Sequence, residues 1–336
     1  MKKELAEIPV SVLDLATIVE GDTPANSFKK SLDVARLVEQ LGYNRYWFAE
    51  HHNMENIASS ATAVLIGYIA GGTSKIRVGS GGVMLPNHAP LIIAEQFGTL
   101  ASLYPGRIDL GLGRAPGTDQ LTSMALRRNL NATVDQFPQD VIELRNYLSP
   151  KRPDARVRAI PGEGTEVPVW ILGSSTYGAQ LAAALGLPYA FASHFAPTYL
   201  KDALKLYHQH FTPSDKLENP YALACINVIA ADTDEEANRL ATSFYRLAMG
   251  IVTNKRRPLQ PPIDSMKGAW SEYEQDAVMQ MMQYTFIGSP QTIHAQLNNF
   301  VNETEVDEVM VASYIFDNKA RMHSYKLIAP FFKLNN

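Results

Sequence analysis

Arg107-Ile108-Asp109-Leu110-Gly111-Leu112-Gly113-Arg114-Ala115-Pro116-Gly117-Thr118-Asp119 decides how the rest of the chain is read. Ile108, Leu110 and Leu112 alternate with Asp109, Gly111 and Gly113, the two-residue period of a strand. The glycines leave no side chain above the backbone, so a flat ligand can come close. Arg114 then offers a fixed fork of donors where the strand ends, a geometry suited to a phosphate. The same residues read equally well as a barrel strand followed by a surface arginine. Other strand ends must settle which.

Seven further strands are predicted around this one. They run from Ile8 to Asp14, Tyr43 to Phe48, Ile76 to Pro86, Val167 to Leu172, Tyr189 to Ser193, Tyr221 to Ala231 and Glu308 to Ser313. A helix follows each of the eight. Asn26 or Ser27 can cap the first helix and Gly42 stops it; Gly186 stops another, and Thr233 caps a third whose first turn carries Glu235 and Glu236. Further helices are predicted over Ala89–Leu103, Val134–Leu148 and Pro197–Phe211. Thr118–Asn131 reads as a loop with a helical piece, and Ser149–Glu166, with four basic residues, as a surface excursion. Asn254–Lys267, with three prolines, reads as a linker or lid inserted after the seventh strand. Trp270–Tyr284 reads as a helix whose Met279, Met281 and Met282 pack a core, with an apolar substrate tunnel as the alternative. The pattern predicts a single (β/α)8 TIM barrel domain over residues 1–336. An open doubly wound sheet is the competing topology. It would gather its polar residues at one switch point, whereas here they recur at strand ends along the chain.

Composition narrows the function. The 336 residues are 46% hydrophobic with a net charge of −4, enough for a large core and without the basic stripe of a nucleic-acid binder. Cys225 is the single cysteine, which excludes a disulfide framework and fits a cytoplasmic, reducing setting. The charged start Met1–Glu7 lacks the apolar run of a signal peptide, and no apolar stretch is long enough to span a membrane.

In a (β/α)8 barrel the C-terminal strand ends share one face, where barrel enzymes work. That face would carry Glu50, His51 and His52; Ser80, Gly81 and Gly82; Arg114; Gly173, Ser174 and Ser175; and Ser193 with His194. Arg114 could meet an anion from one side while Ser174, Ser175 and the free N–H groups of the helix from Thr176 meet it from the other. The bland alternative is that the serines only cap their helix. Ser80-Gly81-Gly82 is a place for a bulge or a non-proline cis bond, or simply a glycine turn. His51 is a candidate for proton transfer near neutral pH. Adjacent strand residues face opposite sides, so His52 is expected in a structural hydrogen bond. No third ligand stands at a diagnostic spacing, so no metal site is expected. His88, His194 and His208 read as ordinary.

Four segments together resemble the bacterial luciferase-like monooxygenase family, and its single-chain branch more than the light-emitting two-subunit enzymes. They are Tyr46–His52, Val78–Pro86, Gly106–Arg114 and Val169–Ser175. The resemblance implies a barrel that binds FMN in reduced form, delivered by a separate flavin reductase. The reduced flavin would use O2 to oxygenate a small, largely apolar organic substrate such as an aldehyde. It implies phosphate binding by Arg114, Ser174 and Ser175, with Gly173 beside them, and catalysis by His51. It implies a cis peptide at Gly81-Gly82 beneath the flavin ring, contributed by the Ser80–Gly82 segment, a mobile lid at Asn254–Lys267, and pairing of two copies. There are two departures: Gly113 stands where the luciferases carry a reactive cysteine, and Ser174 where they carry a glutamate. The first argues against light emission. The same fold could instead serve an F420-dependent dehydrogenase or a flavin-binding protein without turnover.

Overall fold

The computed structural model describes residues 3–126, 136–151 and 154–335. Its central feature is a closed barrel of parallel strands in the order β1 (Val10–Asp14), β2 (Arg45–Phe48), β3 (Arg77–Met84), β4 (Ile108–Gly113), β5 (Val169–Gly173), β6 (Tyr189–Phe191), β7 (Ala222–Ala230) and β9 (Glu308–Ala312). β9 closes the ring by pairing with both β1 and β7. These are the eight strands read from the sequence. A ninth, β8 (Thr285–Gly288), lies outside the ring and pairs with the upper half of β7. Four residues leading into the Ser289-Pro290 helix start carry too short a pattern to announce a strand.

Alternation along each strand sorts its residues between two cores. Val10 and Val12 of β1, and Ile108, Leu110 and Leu112 of β4, face outward into the layer shared with the helices. Leu13, Trp47, Trp170, Ala190, Leu223, Cys225 and Met310 fill the barrel itself. The outer helices are α1 (Pro24–Gln40), α2 (Thr62–Gly72), α3 (Pro90–Leu103), α4 (Gln120–Leu126), α5 (Phe137–Leu148), α6 (Thr176–Leu185), α7 (Leu200–His210), α8 (Asp234–Val252), α9 (Glu272–Met281), α10 (Pro290–Thr304) and α11 (Asn318–Ile328). Helix α1 starts earlier than expected: Thr23 caps it through Asn26 N–H, with Pro24 in the first turn where its missing donor costs nothing. Thr233 caps α8 and Asp317 caps α11 as their sequences require. Helix α7 starts three residues later than Pro197. The end of the predicted 118–131 loop, the start of the helix predicted from Val134, and Arg152–Pro153 of the surface excursion lie outside the described residues.

The insertion after β7 forms a satellite core in which Leu240, Phe244 and Leu247 of α8 pack with Leu259, Val278 and Met282. Met282 is buried there and Met279 is exposed, so this group belongs to packing and not to a ligand tunnel. Segment 254–267 is fastened along its length. Leu259 pairs with Val19 in a parallel bridge, with Leu259 N–H donating to the Ile18 carbonyl at 2.9 Å. Ile263 N–H donates to Thr242 Oγ1 at 2.8 Å, and Arg246 Nη1 to the Pro261 carbonyl at 2.9 Å.

Candidate functional site

The β4 glycines are demanded first by the protein. A Cβ on Gly111 would stand 2.2 Å from the Ser80 carbonyl oxygen and 2.7 Å from the Leu172 side chain. That close approach of β3 and β4 is held by Ser80, whose Oγ donates to the Gly111 carbonyl at 2.9 Å and accepts from Gly111 N–H at 3.0 Å. Ser80 is completely buried. The hydroxyl is thus spent in both directions as a strut between strands, so the cofactor contact expected of Ser80 falls to its backbone. Just above it the Gly81-Gly82 peptide is cis, and the β3–β4 register shifts between Gly81 and Val83. The backbone feature implied by the resemblance is present; a plain glycine turn is not.

One residue beyond β4, the Arg114 guanidinium carbon lies 3.9 Å from the centroid of the Tyr177 ring. Tyr177 is in the first turn of α6, so the stack brings the end of β4 to the start of the helix after β5. No described residue gives Arg114 a carboxylate or hydrogen-bond partner, so the edge of its fork stays free. Ser175 is the N-cap of α6 in extended conformation, yet its side chain makes no cap bond. Its backbone carbonyl accepts from Tyr189 Oη at 3.2 Å. Ser174, beside it, is exposed. Capping thus leaves both hydroxyls uncommitted, next to a guanidinium and to N–H groups that a helix cannot satisfy internally. Gly173, Ser174, Ser175 and Arg114 stand together as the sequence proposed, and their donors suit a phosphate dianion.

The end of β2 is organised by Glu50, which is 2% exposed. Its Oε1 accepts from His52 Nε2 at 2.9 Å and from His88 Nε2 at 2.8 Å, and its Oε2 accepts from Met84 N–H at 3.2 Å. Burial pushes the carboxyl pKa up, but hydrogen bonds from the two imidazoles outweigh it and hold the pKa at about 2. His52 has the structural bond expected of it, and His88 is not an ordinary surface residue.

His51 turns away from that cluster. Its Nδ1 lies 3.1 Å from the Gly117 carbonyl. A carbonyl can only accept, so the neutral ring keeps its proton on Nδ1 and presents a bare lone pair at Nε2. Burial lowers the His51 pKa below its ordinary 6.5; the Gly117 bond opposes that, and Arg256 reinforces it from the insertion. Arg256 Nη1 also reaches Met54 Sδ at 3.2 Å, so the inserted segment closes over the loop that carries His51.

Sequence reasoning passed over His194, which is 8% exposed just past the end of β6. Asn227 on β7 fixes it, with Nδ2 donating to the His194 carbonyl at 2.6 Å and to Thr285 Oγ1 at 3.0 Å. The available signal was positional: His194 follows β6 much as His51 follows β2. Its surroundings, which set its chemistry, come from β7 and β8.

Residues 8–308 match the family described as luciferase-like monooxygenase. A luciferase-like monooxygenase of Escherichia coli (strain K12) is 54% identical over 95% of this chain and 96% of its own length. The crystal structure of apo-MsnO8 is 35% identical and superimposes with a TM-score of 0.87 over 97% of this chain and 98% of that one. The oxygenating constituent of 3,6-diketocamphane monooxygenase from Pseudomonas putida, in complex with FMN, shares the fold. Its TM-score is 0.73 at 18% identity, over 98% of this chain and all of that one.

Proposed function

The chain belongs to the luciferase-like monooxygenase family, and from that premise we propose that it binds reduced FMN at the barrel mouth and oxygenates a small, largely apolar organic substrate. The observation that carries the cofactor assignment is the Arg114–Tyr177 stack beside an N-cap serine that caps nothing. The FMN complex of the Pseudomonas putida protein of the same fold supports it. Reduced flavin, when bound, supplies two electrons that let one oxygen atom of O2 enter the substrate while the other leaves as water.

The chain's own residues do the rest. Arg114, Ser174, Ser175 and the first-turn N–H groups of α6 hold the phosphate through charge-assisted bonds. Gly81, Gly82 and Gly173 keep side chains clear where the ring system would lie against backbone. His51 accepts a hydrogen bond, or a proton, at Nε2, since Nδ1 is committed to Gly117. Leu15, Ala49, Ile57, Ala312 and Tyr314 make the upper part of the barrel apolar, and the insertion is fastened beside it by the Val19–Leu259 bridge. The reading takes residues 1–336 as one domain in the cytoplasm, fed by a separate flavin reductase. It includes a homodimer, because neighbouring helices α2 and α3 leave Val64, Tyr68, Ile92 and Leu103 exposed.

The test is a titration with FMN and separately with F420, followed by O2 uptake with supplied reduced FMN and a panel of aldehydes, ketones and thioethers. FMN binding with substrate-dependent uptake is expected. Retention of F420 alone, or FMN binding with no product from any substrate, overturns the reading. His51→Ala should leave FMN affinity intact and lower turnover by about 10²–10⁴-fold. In the native protein the acid limb of turnover should fall below pH 6.5, because protonation that silences Nε2 is displaced to lower pH. A limb above 6.5 removes His51 from the role.

A further inference from the structure

The loop 116–118, between β4 and α4, carries the carbonyl that sets the tautomer of His51, and its fastenings lead back to one side chain. The Gly117 carbonyl accepts from His51 Nδ1 at 3.1 Å. Gly117 has a φ of +65°, and a Cβ there would stand 2.8 Å from the Glu50 carbonyl oxygen and 3.0 Å from Met84 Cγ. The glycine is thus wedged between the backbone of Glu50 and the side chain of Met84. Met84 in turn is held by the Glu50 carboxylate, whose Oε2 accepts from its N–H at 3.2 Å.

On either side of Gly117 the loop is clipped to neighbours of the same carboxylate. Asn87 Nδ2 donates to the Pro116 carbonyl at 2.8 Å, and the next residue, His88, donates from Nε2 to Glu50 Oε1 at 2.8 Å. Thr118 Oγ1 donates to the His52 carbonyl at 3.1 Å, and His52 Nε2 donates to the same Oε1 at 2.9 Å. Glu50 therefore gathers the end of β2, the end of β3 and the turn before α3 beneath a loop that follows β4. Three donors on one side chain demand a carboxylate. An amide in its place has one oxygen and one NH2. The oxygen could serve the imidazoles or Met84, not both, and the NH2 would face another donor.

The carboxylate also acts on His51 through its charge. Burial lowers the His51 pKa most; the Gly117 bond opposes it, Arg256 and His52 add to it, and Glu50 is the charge that works the other way. His194, which also senses His51, stays neutral because burial lowers its own pKa to about 3.

We propose that Glu50 is the positioning residue of His51: by holding Met84, His52 and His88 it keeps the Gly117 carbonyl where His51 Nδ1 must carry the proton and Nε2 the lone pair. Glu50 is 2% exposed and acts only through these contacts. What His51 then does with its lone pair rests on the monooxygenase reading.

The test is 15N NMR of the histidine side chains in the whole protein, with His51→Gln to assign the His51 signals. The native ring should carry its N–H at Nδ1 and titrate below 6.5. Glu50→Gln should populate the Nε2–H tautomer. It should also move the titration further down, since the charge that raises it is gone. Turnover of reduced FMN should fall about tenfold to hundredfold in kcat, with KM unchanged. Glu50→Asp, which keeps the charge, should recover part of the titration shift. A merely structural carboxylate would cost stability and leave both His51 readouts in place. A folded Glu50→Gln variant with the native His51 spectrum and titration therefore overturns the proposal, and so does a native ring protonated at Nε2. If Glu50→Gln does not fold, two His88 variants decide. His88→Leu removes a donor and should shift the His51 signals part of the way, whereas His88→Gln, which keeps an N–H, should not; identical His51 spectra in the two overturn the proposal. FMN titration separates the two failures: native protein that takes no FMN sinks the monooxygenase reading, while the His51 spectra alone decide this one.

Discussion

The two ends of the barrel differ in how their polar side chains are partnered. At the N-terminal strand ends the buried charges form a matched net. Arg45 binds Asp109 and Glu308, each at 2.8 Å, and stacks over Trp170. Arg77 Nε reaches Asp109 at 3.0 Å, Trp47 Nε1 donates to it at 3.1 Å, Tyr221 Oη donates to Glu308 at 2.8 Å, and Ser11 completes the net. At the C-terminal ends the hydroxyls of Ser59 and Ser313, the side-chain oxygen of Asn227 and Nδ1 of His194 are buried without a partner. The side chains of Ser174, Ser175 and Arg114 make no protein hydrogen bond among the described residues. Buried polar groups are satisfied unless something else is meant to satisfy them. The lower end is a closed net of ion pairs; the upper end, apart from the Glu50 cluster, keeps several side-chain groups without a partner among the described residues.

Asp109→Ala should break the lower net. It leaves buried Arg45 and half-buried Arg77 beside a lost carboxylate and should destabilise by about 3–5 kcal/mol, read as a lowered urea midpoint. A loss under about 1 kcal/mol would mean the lower net is not a structural element. Arg114→Ala should do the reverse. It should weaken FMN binding by about 1.5–3 kcal/mol, the value of a charge-assisted bond, with thermal unfolding of the cofactor-free protein nearly unchanged. Unchanged affinity would put the phosphate elsewhere. Ser313→Ala is the smallest change: its hydroxyl has no partner, so its removal should alter stability by under about 0.5 kcal/mol. A cost of 2 kcal/mol would show that the upper orphans are structural too.

The comparison also marks what a reader of the chain can see. Strands and helix boundaries are legible because alternation, the stops Gly42 and Gly186 and the N-cap Thr233 encode them locally. Arg114, Ser174, Ser175 and His51 were visible as polar residues placed just past apolar strands. The use of the Ser80 hydroxyl is not legible, because its partner Gly111 lies on another strand 31 residues away. His194 was missed because nothing in Ser193-His194-Phe195 records that its Nδ1 ends up enclosed and partnerless. β8 escaped because four residues paired to one side of β7 need little pattern of their own.

What the sequence determined by itself was the alternating order of strands and helices and the list of polar residues at strand ends, since both are written in periodicity and in residues close along the chain. Which of those residues are spent and which are free follows from contacts made across the fold. A hydrogen bond is allotted between groups that the barrel brings together from distant segments: Ser80 with Gly111, His51 with Gly117, Arg45 with Glu308. Whether a side chain serves the fold or a ligand depends on whether such a partner arrives.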